Sequence, residues 1–385
     1  AGNKTNPVMS YDNLQNIFLT GGAGFVGGFI LRECLLRTKA NIFCLVRARN
    51  KEHGIERIVS NLANYNIRLN KSEIDRIKIV IGDISKDELG IDTIHYNEIA
   101  EKSDLVIHCA AIDNFYLPYS SLKAANVEGV KNIMIFSLHG KVKPMIYTAS
   151  CSASLIDDNM NSDRLFGMIN GYSQTKYVAQ ELLLNLINKG FPGVCVKLGY
   201  LYANEAHVVH PQEGFESLIS SIYNIGAVPT MDADFDLTSV EYVAEAITDM
   251  ALNYPAGVKE NYILYNPKPL YWKDVIKSFK KIMPEIKEVS LEEFVWLFQN
   301  YVHNSGVESL KFVSRVVSNL VEEQFNKMFR SVKCDSVDKY IHKCPACDEL
   351  FSDYYIDMVI KLSIENTDEF EANGAESDRV CVDIT

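Results

Sequence analysis

The chain has 385 residues, of which 47% are hydrophobic and 23% charged, so it is long enough to bury a sizeable core. Its formal net charge of −12 argues against nucleic acid as the main partner, because phosphate contacts need a basic surface. No apolar run reaches the roughly 18 residues of a membrane span, and the polar N-terminus lacks the apolar stretch of a signal peptide; these features predict a cytoplasmic protein.

Short apolar strands alternate with amphipathic helices along the first half of the chain. The predicted strands are 16–20, 41–46, 77–81, 104–108, 144–148 and 193–198. The predicted helices are 25–38, 52–66, 119–138 and 172–189. Strands that are apolar throughout and separated by helices form parallel sheets covered on both faces, so the pattern predicts an α/β fold with a Rossmann-type, doubly wound parallel sheet.

From residue 271 onward the pattern changes to helices with i, i+3, i+4 apolar spacing. We therefore predict a Rossmann domain over 16–270 and a smaller, mainly helical substrate or lid domain over 271–365. An acidic tail is expected over 366–385. Residues 1–15, which begin Ala-Gly, are interpreted as a linker or a fusion remnant.

A glycine-rich turn lies between the first predicted strand and the first predicted helix. Gly22, Gly24 and Gly27 match G-x-G-x-x-G, and Gly21, Gly24 and Gly27 equally match G-x-x-G-x-x-G. Glycines allow a tight turn and the close approach of a pyrophosphate, which the N–H groups and positive dipole of a helix N-terminus bind. The strand–turn–helix setting favours a dinucleotide site over an ordinary glycine turn.

The end of the second predicted strand indicates which dinucleotide binds. NAD-binding proteins usually place an acid there for the ribose 2′-hydroxyl, whereas NADP-binding proteins use arginine for the 2′-phosphate. The segment CLVRARN carries Arg47 and Arg49 and no acid, so NADPH is the expected cofactor. Arg47 is the favoured phosphate ligand because it directly follows the strand, and a solvated arginine is the alternative for either residue. Asp83 follows the third strand at the position of an adenine contact, and Ala110 and Ala111 follow the fourth beneath a flat ligand.

Tyr172 and Lys176 open the helix predicted over 172–189 and share one of its faces, because they stand at i and i+4. A phenol's ordinary pKa of about 10 is too high for a proton donor at neutral pH. A lysine ammonium and a nicotinamide cation would stabilise the phenolate and lower that pKa. The pair therefore predicts a general acid, and Lys176 can also hold the nicotinamide ribose.

Hydroxyl groups at the end of the fifth predicted strand supply a further candidate. Ser150 in TASCS would donate a hydrogen bond to the substrate oxygen, with Thr148 and Ser152 as rivals and plain turn chemistry as the alternative. Asn126 in KAANVEGVKN would complete a proton path as a fourth member, with the polar face of a helix as its alternative.

Nine cysteines are scattered through apolar segments, which indicates reduced thiols in a reducing compartment. Cys334, His342, Cys344 and Cys347 include a C-x-x-C pair that could in principle bind zinc. Their spacing matches no standard zinc finger, and Pro345 lies inside the pair. Ordinary thiols are therefore favoured, and no metal site is predicted.

Together these residues resemble the extended short-chain dehydrogenases. More narrowly, they resemble the thioester reductase domains that end nonribosomal peptide and polyketide synthases, and the related aminoadipate and carboxylic acid reductases. The likeness runs from about residue 15 to residue 360 and rests on CLVRA, HCAAIDNFYLPYSSLKAANVEG, GYSQTKYVAQELL and DFDLTSVEYVAEAI. The late segment KCPACDELFSDYYIDMVI is similar to the closing helical segment of such domains.

The resemblance implies roles for individual residues. Ser150, Tyr172 and Lys176 would be the catalytic triad, joined by Asn126, and Asn114 would be the nicotinamide-side asparagine. The expected cofactor site comprises Thr20, Gly21, Gly22, Gly24, Phe25, Val26, Gly27, Arg47, Arg57, Asp83, Ile84, Ala110, Ala111, Asn114 and Lys176.

Two segments bear on the substrate end of the site. After the sixth strand the family usually reads RPG-x-x-x-G, whereas this chain has KLGYLYAN, with Lys197 for Arg and Leu198 for Pro. This departure affects the loop at the nicotinamide end. Residues 203–235 occupy the place where such a family builds its substrate entrance. With residues 271–360 they are expected to form a lid over the nicotinamide end. The alternative is that these helices only pack on the flank of the sheet or bind a neighbouring domain.

The implied reaction is NADPH-dependent reduction of an acyl or peptidyl thioester on the phosphopantetheine arm of a carrier domain. Hydride attacks the thioester carbonyl, Ser150 and Tyr172 stabilise the oxyanion, and the hemithioacetal collapses to an aldehyde and a free thiol. A second hydride could give the alcohol. The expected partners are the carrier domain and its acyl group, with neither nucleic acid nor membrane, and the excised domain is expected to be monomeric.

Two kinds of rival remain open. One is a different enzyme on the same fold, either a fatty acyl-CoA reductase or a sugar-nucleotide epimerase or dehydratase, against which LPYSSLKAANVEG counts. The other is a non-catalytic NADP-sensing regulator, a class that typically lacks the Tyr/Lys pair.

Overall fold

A computed structural model describes residues 14–115, 117–153, 170–202, 214–235, 237–254, 261–264 and 270–305. These residues fall into two compact units. The first unit holds the described residues up to 202 together with 237–264, and the second holds 214–235 and 270–305. The domain limits given above stay predictions.

The first unit is built on a seven-stranded sheet in the order β11-β6-β5-β4-β1-β2-β3. Every neighbouring pair of strands in this sheet is parallel. The strands are β1 (Asn16–Thr20), β2 (Asn41–Val46), β3 (Ile77–Ile81), β4 (Leu105–His108), β5 (Met145–Ser150), β6 (Gly193–Leu198) and β11 (Asn261–Leu264). A short parallel pair, β7 (Tyr200–Tyr202) with β10 (Leu237–Ser239), completes the strands of this unit.

Helices connect the strands of the first unit. They are α1 (Phe25–Arg37), α2 (Lys51–Ala63), α3 (Lys71–Arg76), α4 (Thr93–Lys102), α5 (Tyr119–Lys123), α6 (Gly129–Leu138), α7 (Gly171–Ile187) and α9 (Val240–Asn253). One π-helical turn, Ala124–Glu128, joins α5 to α6, so the helix predicted over 119–138 is present but changes its winding midway. The predicted α/β fold with a parallel sheet is confirmed.

The hydrophobic core of this unit is formed by apolar side chains between the sheet and its helices. All four residues of β4 are buried, as are five of the six residues of β5. The Phe18 and Phe136 rings pack with centroids 4.3 Å apart and join the sheet to α6. Burial on both faces explains why these strands are apolar in every position rather than alternating.

In its described residues, the second unit combines three helices with two short strand pairs. Its helices are α8 (Gly214–Ile225), α10 (Trp272–Ile282) and α11 (Leu291–Ser305). Its strands are β8 (Ala227–Pro229), β9 (Asp234–Phe235), β12 (Leu270–Tyr271) and β13 (Lys287–Val289). Trp272 is fully buried, and its indole N–H donates to the Pro229 carbonyl at 2.7 Å, so this side chain ties α10 to β8.

Several predictions fall outside the described residues. These are the Cys334, His342, Cys344 and Cys347 cluster, the helices predicted beyond 305, the acidic tail and part of the 203–235 segment. Within the described ranges, no helix has both the length and the apolar character to cross a membrane.

Candidate active site

The strand order places a crevice at the carboxyl ends of β1 and β4. The chain moves outward from β1 through β2 to β3 and then returns to β4 on the other side of β1. The loops after β1 and β4 therefore leave in opposite directions and open a gap, which is where ligands bind in sheets of this kind. The glycine turn follows β1, and Ala110 and Ala111 follow β4.

The glycine turn is packed so closely that two of its residues have no room for a side chain. Gly21 has φ +80°, and a Cβ there would lie 2.8 Å from the Ala110 nitrogen. A Cβ on Gly27 would lie 2.1 Å from the Gly21 carbonyl oxygen. At Gly22 the nearest atom to an added methyl is a Leu19 side-chain carbon at 3.3 Å. The geometry therefore favours the pattern of Gly21, Gly24 and Gly27 over the one that uses Gly22.

The first turn of α1 is suited to an anion. Gly24 is the N-cap residue and provides no side-chain cap, and the first turn contains no acidic residue. The cap thus offers no side-chain acceptor and the first turn no carboxylate, while the helix dipole favours negative charge. The helix start, which includes Phe25 and Val26, fits the pyrophosphate of a dinucleotide.

A side-chain contact clamps β1 to β4 below this turn. Thr20 Oγ1 lies 2.6 Å from His108 Nδ1 and accepts the Ala110 N–H at 3.1 Å. Burial lowers the pKa of His108 to about 3, and the Lys176 charge acts in the same direction, so the imidazole is neutral. Thr20 therefore supports the turn from beneath, and sequence reasoning missed His108 because a lone histidine ending a strand carries no motif.

Two arginines occupy the end of β2, as predicted from CLVRARN. Arg47 and Arg49 are both exposed, and within the described residues neither has an ion-pair partner. Arg57 on α2 donates from its guanidinium to the Arg47 carbonyl, which holds the two residues side by side. The resulting basic edge matches the charge of a 2′-phosphate.

The loop after β3 supplies Asp83 and Ile84. Asp83 Oδ1 accepts the Ser85 N–H at 2.9 Å and the Ser85 hydroxyl at 2.8 Å, so the carboxylate is fixed by its own turn. Ile84 is buried, and its carbonyl accepts the Asn132 amide at 2.8 Å. Both residues lie on the third strand's carboxyl end, on the same edge as the glycine turn.

Tyr172 and Lys176 lie in the first two turns of α7 and are almost fully buried, at 8% and 4% exposure. Lys176 Nζ donates to the Thr148 carbonyl at 2.9 Å and lies 5.9 Å from the centre of the Tyr172 ring. Lys176 is therefore anchored to β5 two residues before Ser150. The structure thus brings the predicted acid and the predicted lysine together at the carboxyl edge of the sheet.

Burial lowers the pKa of Lys176 to about 8, although the Asp113 carboxylate opposes this effect. The folded protein therefore releases this proton at a lower pH than the unfolded chain, so the free energy of unfolding rises between pH 8 and pH 10.5. Below pH 8 the buried ammonium costs stability. We expect the wild type to gain on the order of 3 kcal/mol relative to Lys176→Met across this range. Denaturant unfolding of both proteins at the two pH values measures it, and a constant difference would contradict it.

Ser150 is half-buried, and its Oγ lies 2.8 Å from the Ser152 Oγ. Its rival Thr148 is buried and already donates its hydroxyl to the His108 carbonyl at 3.3 Å. Ser152 donates its backbone N–H to Ser150 Oγ at 3.3 Å. Thr148 is thus buried and already engaged, whereas Ser150 and Ser152 are both half-buried and contact each other, so the choice of Ser150 stays a prediction.

Asn126 is buried in the π-helical turn, and backbone and side-chain groups use both ends of its amide. Oδ1 accepts the Ile112 N–H at 2.8 Å, while Nδ2 donates to the Ile112 carbonyl at 3.0 Å and to Thr175 Oγ1 at 3.1 Å. Asn114, in the same loop after β4, accepts the Leu117 N–H at 3.1 Å. These contacts fix the loop that faces the start of α7.

Gly171, the first residue of α7, and Phe115, in the loop after β4, are further residues beside Tyr172 that the sequence did not single out. A Cβ on Gly171 would lie 2.4 Å from the Tyr119 nitrogen, so α7 begins against the backbone of the loop after β4. The Phe115 ring packs on the Tyr172 ring with centroids 4.8 Å apart. The YxxxK motif marks the helix start, and a glycine or aromatic residue beside it gives no separate signal.

Comparison with known proteins identifies a matching family and similar individual proteins. A family model described as "Male sterility protein" matches residues 19–247, which is more than half of the chain. A linear gramicidin synthase polypeptide of Brevibacillus parabrevis is 27% identical over 306 residues, which cover 77% of this chain and 6% of that protein. L-2-aminoadipate reductase of Schizosaccharomyces pombe is 26% identical over 285 residues, 69% of this chain and 20% of that protein.

A solved structure shares both fold and sequence with this chain. It is the terminal R domain from the myxalamid PKS-NRPS biosynthetic pathway, with a TM-score of 0.79 and 26% identity. The match covers 92% of this chain and 91% of that one. The chain thus spans a small part of the sequence relatives named above and almost the whole of a solved R domain.

Proposed function

The chain belongs to the male sterility protein family, whose members and structural neighbours are NAD(P)-dependent reductases of the extended short-chain type, and from this premise we propose that it reduces a carrier-bound acyl thioester with NADPH. The resemblance to the terminal reductase domains of peptide and polyketide synthases is confirmed. The cofactor preference, the catalytic residues, the aldehyde product and the carrier partner are proposals.

One observation carries the proposal. Lys176 is held by the Thr148 carbonyl beside the Tyr172 ring, at the same sheet edge as the glycine turn and Ser150. A proton donor, a cation to stabilise its conjugate base and a second hydroxyl thus share the edge where a dinucleotide would end. This arrangement suits reduction of a carbonyl.

The proposed roles follow from the environment of each group. NADPH, when bound, supplies the hydride. Tyr172 donates its proton to the carbonyl oxygen, Lys176 stabilises the phenolate that remains, and Ser150 donates a second hydrogen bond to the same oxygen. The glycine turn, the basic edge of Arg47 and the loop after β4 would hold the cofactor.

A thioester suits the site because the substrate brings its own activated carbonyl. Cys109, in the segment that follows β4, does not supply a thiolate, since burial raises its pKa to about 12. Collapse of the hemithioacetal returns the carrier thiol and leaves an aldehyde. A phosphopantetheinylated carrier domain is therefore the proposed partner, and a second hydride transfer would give the alcohol.

The NADPH preference rests on Arg47. We expect Arg47→Ala to weaken NADPH binding by about 1.5–3 kcal/mol, because a charge-assisted contact to the 2′-phosphate is lost. NADH binding should change little. Fluorescence titration of both cofactors measures the two affinities.

Arg49→Ala is the matched control, because Arg49 is also exposed and lies two residues further along. Its NADPH affinity should stay close to wild type. An unchanged ratio of NADPH to NADH affinity in Arg47→Ala would rule out this arginine as the phosphate ligand.

The proposed function is tested by following NADPH oxidation with the same acyl group presented in two forms. We expect faster turnover of the carrier-bound thioester than of the acyl-CoA, and an aldehyde or alcohol as product. A preference for free acyl-CoA would instead indicate a fatty acyl-CoA reductase. NADPH binding without turnover of any thioester would indicate a regulator.

A further inference from the structure

Thr175 lies between Tyr172 and Lys176 in the sequence, and its side chain is completely buried. Its hydroxyl donates to the Tyr172 carbonyl at 2.8 Å, one turn back along α7. The same oxygen accepts the Asn126 amide at 3.1 Å. This hydroxyl therefore joins the first turn of α7 to the π-helical turn.

The link continues from Asn126 to the loop after β4. The remaining Nδ2 proton and the Oδ1 of Asn126 bond to the carbonyl and the N–H of Ile112. Each Nδ2 proton then has one acceptor, so the Asn126 amide has no donor left for another group. The bonds form a continuous connection from Ile112 through Asn126 and Thr175 to Tyr172.

A second contact fixes the same two segments from the other side. Gly171 packs against the backbone at Leu117 and Tyr119, where a Cβ would lie 2.5 Å from the Leu117 oxygen. The Phe115 ring rests on the Tyr172 ring. The start of α7 is thus held both by close backbone packing and by the Thr175 connection.

We propose that Thr175 is a positioning residue, whose hydroxyl orients Tyr172 relative to the loop after β4 through Asn126. This inference rests on the proposed function for its kinetic consequence. It assigns Asn126 to the same connection rather than to a proton path. A shift of the helix start by a fraction of an ångström would move the Tyr172 hydroxyl away from the reacting oxygen. Such a displacement slows the chemical step more than it weakens substrate binding.

The test compares Thr175→Val, which keeps the shape and removes the hydroxyl, with Thr175→Ser, which keeps the hydroxyl. We expect Thr175→Val to lower kcat about tenfold with KM and NADPH affinity within about twofold of wild type. Thr175→Ser should restore most of kcat. Thr175→Ala replaces the valine variant if that protein does not fold, since alanine adds no atoms.

Thr248→Val is the matched control for loss of a buried threonine hydroxyl. Thr248 is also completely buried, and its Oγ1 lies 3.9 Å from Cys34 Sγ on α1. This variant should keep the kcat of the wild type. If Thr175→Val keeps wild-type kcat, or if Thr175→Ser loses as much as Thr175→Val, the positioning role is wrong.

Hydrogen exchange separates this inference from the proposed function, because it needs no substrate. The Ile112 N–H, bonded to Asn126 Oδ1, should exchange faster in Thr175→Val than in Thr175→Ser or Thr248→Val. If the protection of this amide is unchanged in Thr175→Val, Thr175 does not hold Asn126 against Ile112, even if the enzyme is active. If the wild type does not turn over any thioester, the proposed function is wrong. The exchange experiment then still tests the connection from Ile112 through Asn126 and Thr175 to Tyr172.

Discussion

Tyr172→Phe is expected to bind NADPH like the wild type and to lose about 10²–10⁴-fold in thioester reduction, the usual contribution of a general acid. Tyr172 is 8% exposed and its ring packs on Phe115, so phenylalanine preserves the packing and removes only the hydroxyl. The measurement is kcat by NADPH oxidation, with cofactor affinity determined in parallel by fluorescence.

Tyr177→Phe is the control for removing a phenolic hydroxyl from the same helix. Tyr177 is half-buried on α7 and has no assigned part in the site. It should retain the kcat of the wild type. Comparable rates for Tyr172→Phe and the wild type would assign the proton donor elsewhere.

Gly27→Ala should be among the most damaging single changes in the first unit. The added Cβ would lie 2.1 Å from the Gly21 oxygen and 2.5 Å from its carbonyl carbon, and backbone atoms cannot rotate away as a side chain can. We expect a loss of about 3 kcal/mol in the free energy of unfolding, at the upper end of overpacking costs. The cofactor site should be lost with it, because α1 can no longer start against β1.

Gly24→Ala separates the steric effect from the binding effect. Its Cβ would meet only the Gly21 oxygen, at 3.3 Å, and its φ of −109° suits any residue. Stability should therefore stay close to wild type, while NADPH binding weakens if the pyrophosphate approaches this backbone. Denaturant unfolding and cofactor titration of both variants measure the two effects, and equal losses of stability would contradict the assignment.

The strands of the sheet were predictable because burial on both faces makes them apolar throughout. Segments 16–20, 41–46, 77–81 and 193–198 match the observed strands residue for residue. The edge strand β11, Asn261–Leu264, was missed. The π-helical turn Ala124–Glu128 was missed as well, since local apolar periodicity does not encode one turn of altered winding.

The candidate site was predictable where chemistry imposes fixed spacing. Tyr172 and Lys176 were found because a helix places i and i+4 on one face, and the glycines because a phosphate turn excludes side chains. The sequence left two glycine patterns open. Gly24 and Gly27 belong to both, so the positive φ of Gly21 and the close approach of the Ala110 backbone to Gly21 distinguish them. Thr175 carried no signal, because its proposed role depends on a contact with a residue 49 positions earlier.

The sheet unit is not continuous in sequence, and this affects how the chain can be shortened. Its edge strand β11 and the helix α9 lie at 237–264, after residues 214–235 of the other unit. Arg37 on α1 forms an ion pair with Asp249 on α9. A protein truncated after residue 202 would lack both elements and expose the edge of the apolar strand GVCVKL, which invites pairing between molecules. A ribosome must likewise synthesise the chain past residue 264 before β11 can cover β6, so this strand edge is open to pairing during that interval.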